Sequence, residues 1–130
     1  MLGYVARVEM PDGGKDVVPQ TFCQSENGER KWRVKSFPKP RPLYGLDRLA
    51  VRPDAPVVIF EGEKTADAGS ALIDRCVSVT WAGGAEAIGY VDLEPLRGRS
   101  IALWPDNDAA GIKAMLSMAA RLDGIAANLS

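Results

Sequence analysis

Histidine is absent from this chain, and cysteine occurs only at Cys23 and Cys76. Without histidine there is no Ser-His or Cys-His catalytic arrangement, and two isolated cysteines cannot supply a zinc tetrahedron. No apolar run approaches the roughly 20 residues of a membrane span. Residues Met1 to Met10 include Arg7 and Glu9 and lack the apolar centre of a secretory signal, so the expected location is the cytoplasm and no membrane partner is expected. Hydrophobic residues make up 46% and charged residues 25% of the 130 positions. That balance fits an ordinary globular chain with about one domain's worth of core.

Charge is nearly balanced overall, at −1, but it is segregated along the chain. The stretch Arg30 to Arg52 holds eight Lys/Arg against the single acid Asp47, with Trp32, Phe37 and Tyr44 interleaved. Cations mixed with aromatics suit phosphate contact and base stacking on a nucleic acid, with Arg30, Lys31, Trp32, Arg33, Lys35, Lys39 and Arg41 as the candidate contacts. The same alternation also serves as the solvated face of an exposed strand.

The pattern predicts two regions. In residues 1–52, strands are expected over Tyr4–Met10, Val17–Cys23 and Trp32–Lys35, separated by turns at Pro11-Asp12-Gly13-Gly14 and Asn27-Gly28, which makes an antiparallel meander. Pro38, Pro40 and Pro42 mark a connector, and Leu43 to Val51 reads as a short helix. In residues 53–130, strand and helix alternate. The strands are Val57–Phe60, Cys76–Trp81 and Ser100–Trp104; the helices are Glu63–Asp74, a weaker stretch over Glu86–Leu96, and Ala109–Leu122 with Ile112, Leu116, Ala119 and Leu122 facing inward. Alternation of this kind implies an α/β fold with a parallel sheet. A strand order of 2-1-3 would bring the ends of the first and third strands to one crevice.

Three carboxylates fall at those ends. Glu61 follows Val57-Val58-Ile59-Phe60, and Asp106 and Asp108 follow Ile101-Ala102-Leu103-Trp104-Pro105. Carboxylates gathered at the mouth of a parallel sheet can hold Mg²⁺ or Mn²⁺ together with substrate phosphates. Asp108 also stands where an N-cap of the following helix would be, a role that needs no metal. Glu63 fits a first-turn acid of its helix. Lys64 can steady a phosphate or simply be solvated, and Gly62, Gly83 and Gly84 would allow close backbone approach or merely satisfy turns. Gly62-Glu63-Lys64-Thr65 lacks the spacing of a P-loop.

In these residues the chain resembles the TOPRIM domain shared by topoisomerases and primases. The likeness rests on Phe60-Glu61-Gly62-Glu63-Lys64, on Ala82-Gly83-Gly84 and on Asp106-Asn107-Asp108-Ala109-Ala110-Gly111, and it covers about Val57 to Leu122. The wording around them, with Leu43-Tyr44-Gly45-Leu46 upstream and Trp104-Pro105-Asp106-Asn107-Asp108, is similar to primases of phages, plasmids and integrated elements. The resemblance implies a Rossmann-like TOPRIM core behind a β-rich extension. It further implies a DNA primase making RNA primers by Mg²⁺-dependent nucleotidyl transfer, with Glu61, Asp106 and Asp108 as catalytic and metal-binding residues. Single-stranded DNA and nucleoside triphosphates would be its partners, with a replicative helicase as a further one. A TOPRIM nuclease, or a non-catalytic module that grips nucleic acid or docks a helicase, carries the same motifs. Such primases carry an upstream zinc module, which is not expected within these 130 residues. A fourth strand is expected to be missing as well, leaving the sheet edge beyond the third strand without a neighbour.

Overall fold

The computed structural model describes residues 3–130, which form two compact units, residues 3–38 and 39–130. The first is an antiparallel sheet of β1 (Gly3–Glu9), β2 (Lys15–Gln24) and β3 (Arg30–Val34) in the order β1-β2-β3. Its turns are those expected: the Met10 amide bonds to the Gly14 carbonyl and the Gly28 amide to the Ser25 carbonyl. Gly13 and Gly28 adopt positive φ there. Pro19 sits in the middle strand opposite Val5; on the β3 side its carbonyl accepts from the Lys35 amide, and the Lys35 carbonyl that a Pro19 amide would have bonded accepts from the Thr21 hydroxyl instead. Thr21 is the one buried residue of this unit among those described.

The hydrophobic core lies in the second unit. A five-stranded sheet runs β4-β6-β5-β7-β8, built from β4 (Leu43–Tyr44), β5 (Val57–Phe60), β6 (Val77–Trp81), β7 (Ser100–Trp104) and β8 (Asn128–Leu129). β6, β5, β7 and β8 are mutually parallel, and β4 joins antiparallel to β6. Helices α1 (Leu46–Val51), α2 (Glu63–Leu72) and α3 (Ala109–Leu122) and two short 3₁₀ segments, Ala85–Tyr90 and Glu94–Leu96, complete it. Strand alternation explains why β5 is apolar at every position. Val57 and Ile59 join Met115, Met118 and Leu122 of α3 in one cluster, while Val58 and Phe60 join Ala66 of α2 in another. Gly69 of α2 is held to glycine by Phe60, whose ring atoms would lie 2.6 Å from an added Cβ.

The three core strands take the order 2-1-3, the one that brings the ends of the first and third together, and four expectations need correction. Leu43–Tyr44 is a strand, with Gly45 in a left-handed conformation before the shorter helix α1. The chain therefore divides after Pro38 rather than at residue 52, because that strand belongs to the larger sheet. The edge beyond β7 is not bare: Asn128 and Leu129 pair with Ser100 and Ile101, and the Leu103 amide bonds to the Ser130 carbonyl. Finally, α3 buries Gly111, Ala114, Met115, Met118 and Leu122, leaving Ile112 52% and Leu116 67% exposed. The helix is rotated because Gly111 must face the end of the sheet, and Ile112 then falls about 100° away. Among the described residues no helix is long and apolar enough to cross a membrane.

Candidate active site at the carboxyl edge of the parallel sheet

β5 lies between β6 and β7, so the three loops leaving their carboxyl ends are neighbours. Glu61 leaves β5 and Asp106 leaves β7, 45 residues apart in sequence, and the Asp106 amide donates to Glu61 Oε1 at 3.1 Å. Gly111 closes the arrangement. A Cβ added there would collide with Glu61 Oε1 and lie 2.7 Å from the Asp106 carbonyl oxygen. The glycine of Asp-x-Asp-x-x-Gly is thus required by close approach, as it leaves room for the Glu61 carboxylate.

Asp108 takes the N-cap position of α3, with extended backbone, and its Oδ1 accepts from the Gly111 amide at 2.7 Å. The cap therefore uses one oxygen of Asp108. Asp108 Oδ2, Glu61 Oε2 and both Asp106 side-chain oxygens have no hydrogen-bond partner among the described residues. Those same residues contain no ready-made cage of three metal-ligating side chains. An open set of carboxylate oxygens still suits Mg²⁺, which keeps several waters and completes its shell with phosphate rather than with protein. The donors present fit a hard divalent cation in that role.

Gly62 is the N-cap of α2, with extended backbone and nothing within 4 Å of an added Cβ. The next two residues diverge: Lys64 is exposed, whereas Glu63 is half-buried, and its burial, seconded by the charge of Asp67, raises its pKa. Gly83 and Gly84 form the loop after β6 with φ of 100° and 68°, and Trp81 Nε1 donates to the Gly84 carbonyl at 2.8 Å. Arg41 lies against this loop, with one guanidinium nitrogen 2.5 Å from where a Gly83 Cβ would be. Its chain segment is fixed by bonds from the Arg41 amide to the Tyr90 carbonyl and from the Asp92 amide to the Arg41 carbonyl. Sequence reasoning grouped Arg41 with the basic strip and missed its position at the glycine loop, 42 residues away, because no local pattern announces the parallel bridge between Arg41 and Val91 that brings it there.

The basic strip is divided between the two units. Arg30, Lys31, Trp32, Arg33 and Lys35 belong to the first unit, and Lys39 and Arg41 to the second. Within β3 the strand alternation sends Lys31 and Arg33 to one face and Arg30, Trp32 and Val34 to the other. There Trp32 packs on Tyr4 and Phe22 at centroid distances of 5.1 and 5.2 Å. Tyr44 is committed elsewhere: its hydroxyl donates to Asp67, which also accepts from Arg48. A cleft of about 420 Å³ lined by Arg48, Arg52, Ser70 and Cys76 opens near the start of β6, away from the carboxylates. Arg48 and Arg52 already bond internal acceptors there.

A family model described as "Domain of unknown function (DUF6371)" matches residues 11–107, about three quarters of the chain, and the chain belongs to that family. No curated protein and no solved structure matches it.

Proposed function

We propose that this chain is a Rossmann-like TOPRIM domain of DNA-primase type, which uses Mg²⁺ or Mn²⁺ to join nucleoside triphosphates along a single-stranded DNA template. The observation that carries the reading is the seating of the Glu61 carboxylate on the Asp106 amide, across two adjacent parallel strands. Three features support it together: two carboxylate-bearing loops at one edge, an Asp-x-Asp-x-x-Gly turn whose glycine is sterically required, and a glycine loop one strand away.

In this reading Asp106 and the free oxygen of Asp108 hold the cation. Bound there, the metal supplies charge neutralisation at the phosphates of the reacting nucleotide. Glu61 faces the same loop with one oxygen fixed by the Asp106 amide and one oxygen free, an orientation that suits either proton transfer with the attacking hydroxyl or a further bond to the cation. Gly62 leaves open space for substrate backbone, and the exposed Lys64 in the first turn of α2 offers a phosphate contact. Anisotropy of a fluorescent nucleoside triphosphate in Mn²⁺ tests the reading. Glu61→Gln and Asp106→Asn are expected to bind it at least tenfold more weakly than the wild type, and equal affinity in all three proteins would overturn the assignment.

A further inference from the structure

The arginines of the second unit differ in how fully their guanidinium groups are used. Arg99 donates to the carbonyls of Arg52, Ala55 and Leu49, and Arg121 to those of Ile88 and Val91. Arg48 bonds Asp67, Ser70 Oγ and the Ser78 carbonyl. These three tie elements together. Arg41 does not: its guanidinium makes a single long bond, 3.5 Å to the Ala82 carbonyl, and its Nε is buried with no acceptor among the described residues. The segment bearing it is already fastened by two backbone bonds, so its side chain is not needed as a strut.

A buried guanidinium N–H without an acceptor is unfavourable unless something else supplies one. The surroundings indicate an anion. Lys39 Nζ stands 3.2 Å from the centroid of the Tyr90 ring, and the Arg41 guanidinium carbon 5.7 Å from the same centroid. Two cations therefore share one aromatic ring, and neither forms a salt bridge among the described residues. The Gly83-Gly84 loop beside them has no side chains to obstruct approach, and its amides are not engaged by any described residue.

We infer that Arg41, Lys39 and the Gly83-Gly84 loop form an oxyanion site for the triphosphate tail of a nucleotide. This deepens the reading of the same edge as nucleotide-binding and rests on it. The loop follows β6, one strand spacing from Glu61 after β5 and two, roughly 10 Å, from Asp106 and Asp108 after β7. A triphosphate reaching toward a cation at Asp106 passes over Gly62. The planar fork of arginine suits bidentate recognition of phosphate oxygens, which a lysine ammonium cannot reproduce.

Titration calorimetry of the full chain with sodium tripolyphosphate in EDTA tests this without reference to the metal. Arg41→Gln is expected to bind at least tenfold more weakly than the wild type, and Arg41→Lys and the exposed Lys39→Gln about threefold more weakly. Thermal denaturation identifies any variant that fails to fold, in which case the remaining two decide. A wild type that does not bind tripolyphosphate overturns the inference, as do variants that match it. A loss confined to a parallel titration with oligothymidylate also overturns it, making the site one for a nucleic-acid backbone. The comparison of wild type with Glu61→Gln and Asp106→Asn in Mn²⁺ is decided separately, so either reading can fail alone.

Discussion

The backbone amide of Asp106 donates to Glu61 Oε1 at 3.1 Å, and the Cα of Gly111 sits where any larger residue would push the two apart. Gly111 lies in the first turn of α3, where alanine would ordinarily favour the helix by about 1 kcal/mol. The crowding is the larger effect, since it sets a methyl group against a carboxylate and a backbone carbonyl, and forced overpacking costs about 1–3 kcal/mol. Gly111→Ala is therefore expected to lower stability by up to about 2 kcal/mol in urea denaturation and to weaken Mn²⁺ binding. Gly62→Ala, with open space around its Cβ and no positive φ, should leave stability within about 0.5 kcal/mol of the wild type.

The Tyr44–Asp67–Arg48 network gives a signed pH dependence. The hydrogen bond from Arg48 holds the Asp67 pKa below its ordinary value, despite partial burial. Stability from this pair is present above the unfolded-state pKa of about 3.9 and is lost as pH falls through the lower folded value. Asp67 is 49% exposed, so solvent screening limits the cost of Asp67→Asn to about 1 kcal/mol or less at pH 7. That cost should shrink as pH falls through the lowered folded-state value, below which both states are protonated. Glu63 acts in the opposite sense: its raised pKa means that its ionisation weakens the folded state as pH rises from the ordinary carboxylate value through the folded one. Urea titrations at several pH values on Asp67→Asn and Glu63→Gln would show differences of opposite sign.

The exposed face of β3 that carries Lys31 and Arg33 is the part of the basic strip best placed to follow a phosphate backbone. Charge reversal at both positions is expected to weaken binding to single-stranded oligothymidylate and to reduce the salt slope by about one unit or more. Reversal at Arg30, on the opposite face with Trp32, should have a separate and smaller effect. If the double reversal leaves the slope unchanged, Lys31 and Arg33 are solvated surface alone.

Much of this architecture was legible because it is written in local pattern. β5 reads as buried on both faces, since four apolar residues run without alternation, and Asp108 reads as a cap because it stands just before a helical period. The convergence of Glu61 with Asp106 depended on a strand order of 2-1-3, which the alternation of strands and helices allows but does not dictate. What escaped was decided by contacts distant in sequence. The buried face of α3 is fixed by Gly111 against Glu61, so Ile112 and Leu116, the larger apolar residues, are the ones turned to solvent. Leu43–Tyr44 is a strand because β6 offers it an edge. Tyr44, chosen as a stacking candidate for its basic neighbours, is claimed by Asp67 of α2. Arg41 reaches the glycine loop through a bridge with Val91 that no spacing rule foretells.

The central claim is that Glu61, Asp106 and Asp108 form one divalent-cation site at the carboxyl edge of the sheet. Water-proton relaxation on titration with Mn²⁺ reads that site directly and without nucleotide. The wild type is expected to show enhancement that saturates at one weakly bound ion, with Asp106→Asn shifted to at least tenfold higher Mn²⁺ concentration and Glu61→Gln also shifted upward. Titration curves that coincide for wild type and Asp106→Asn would contradict the account.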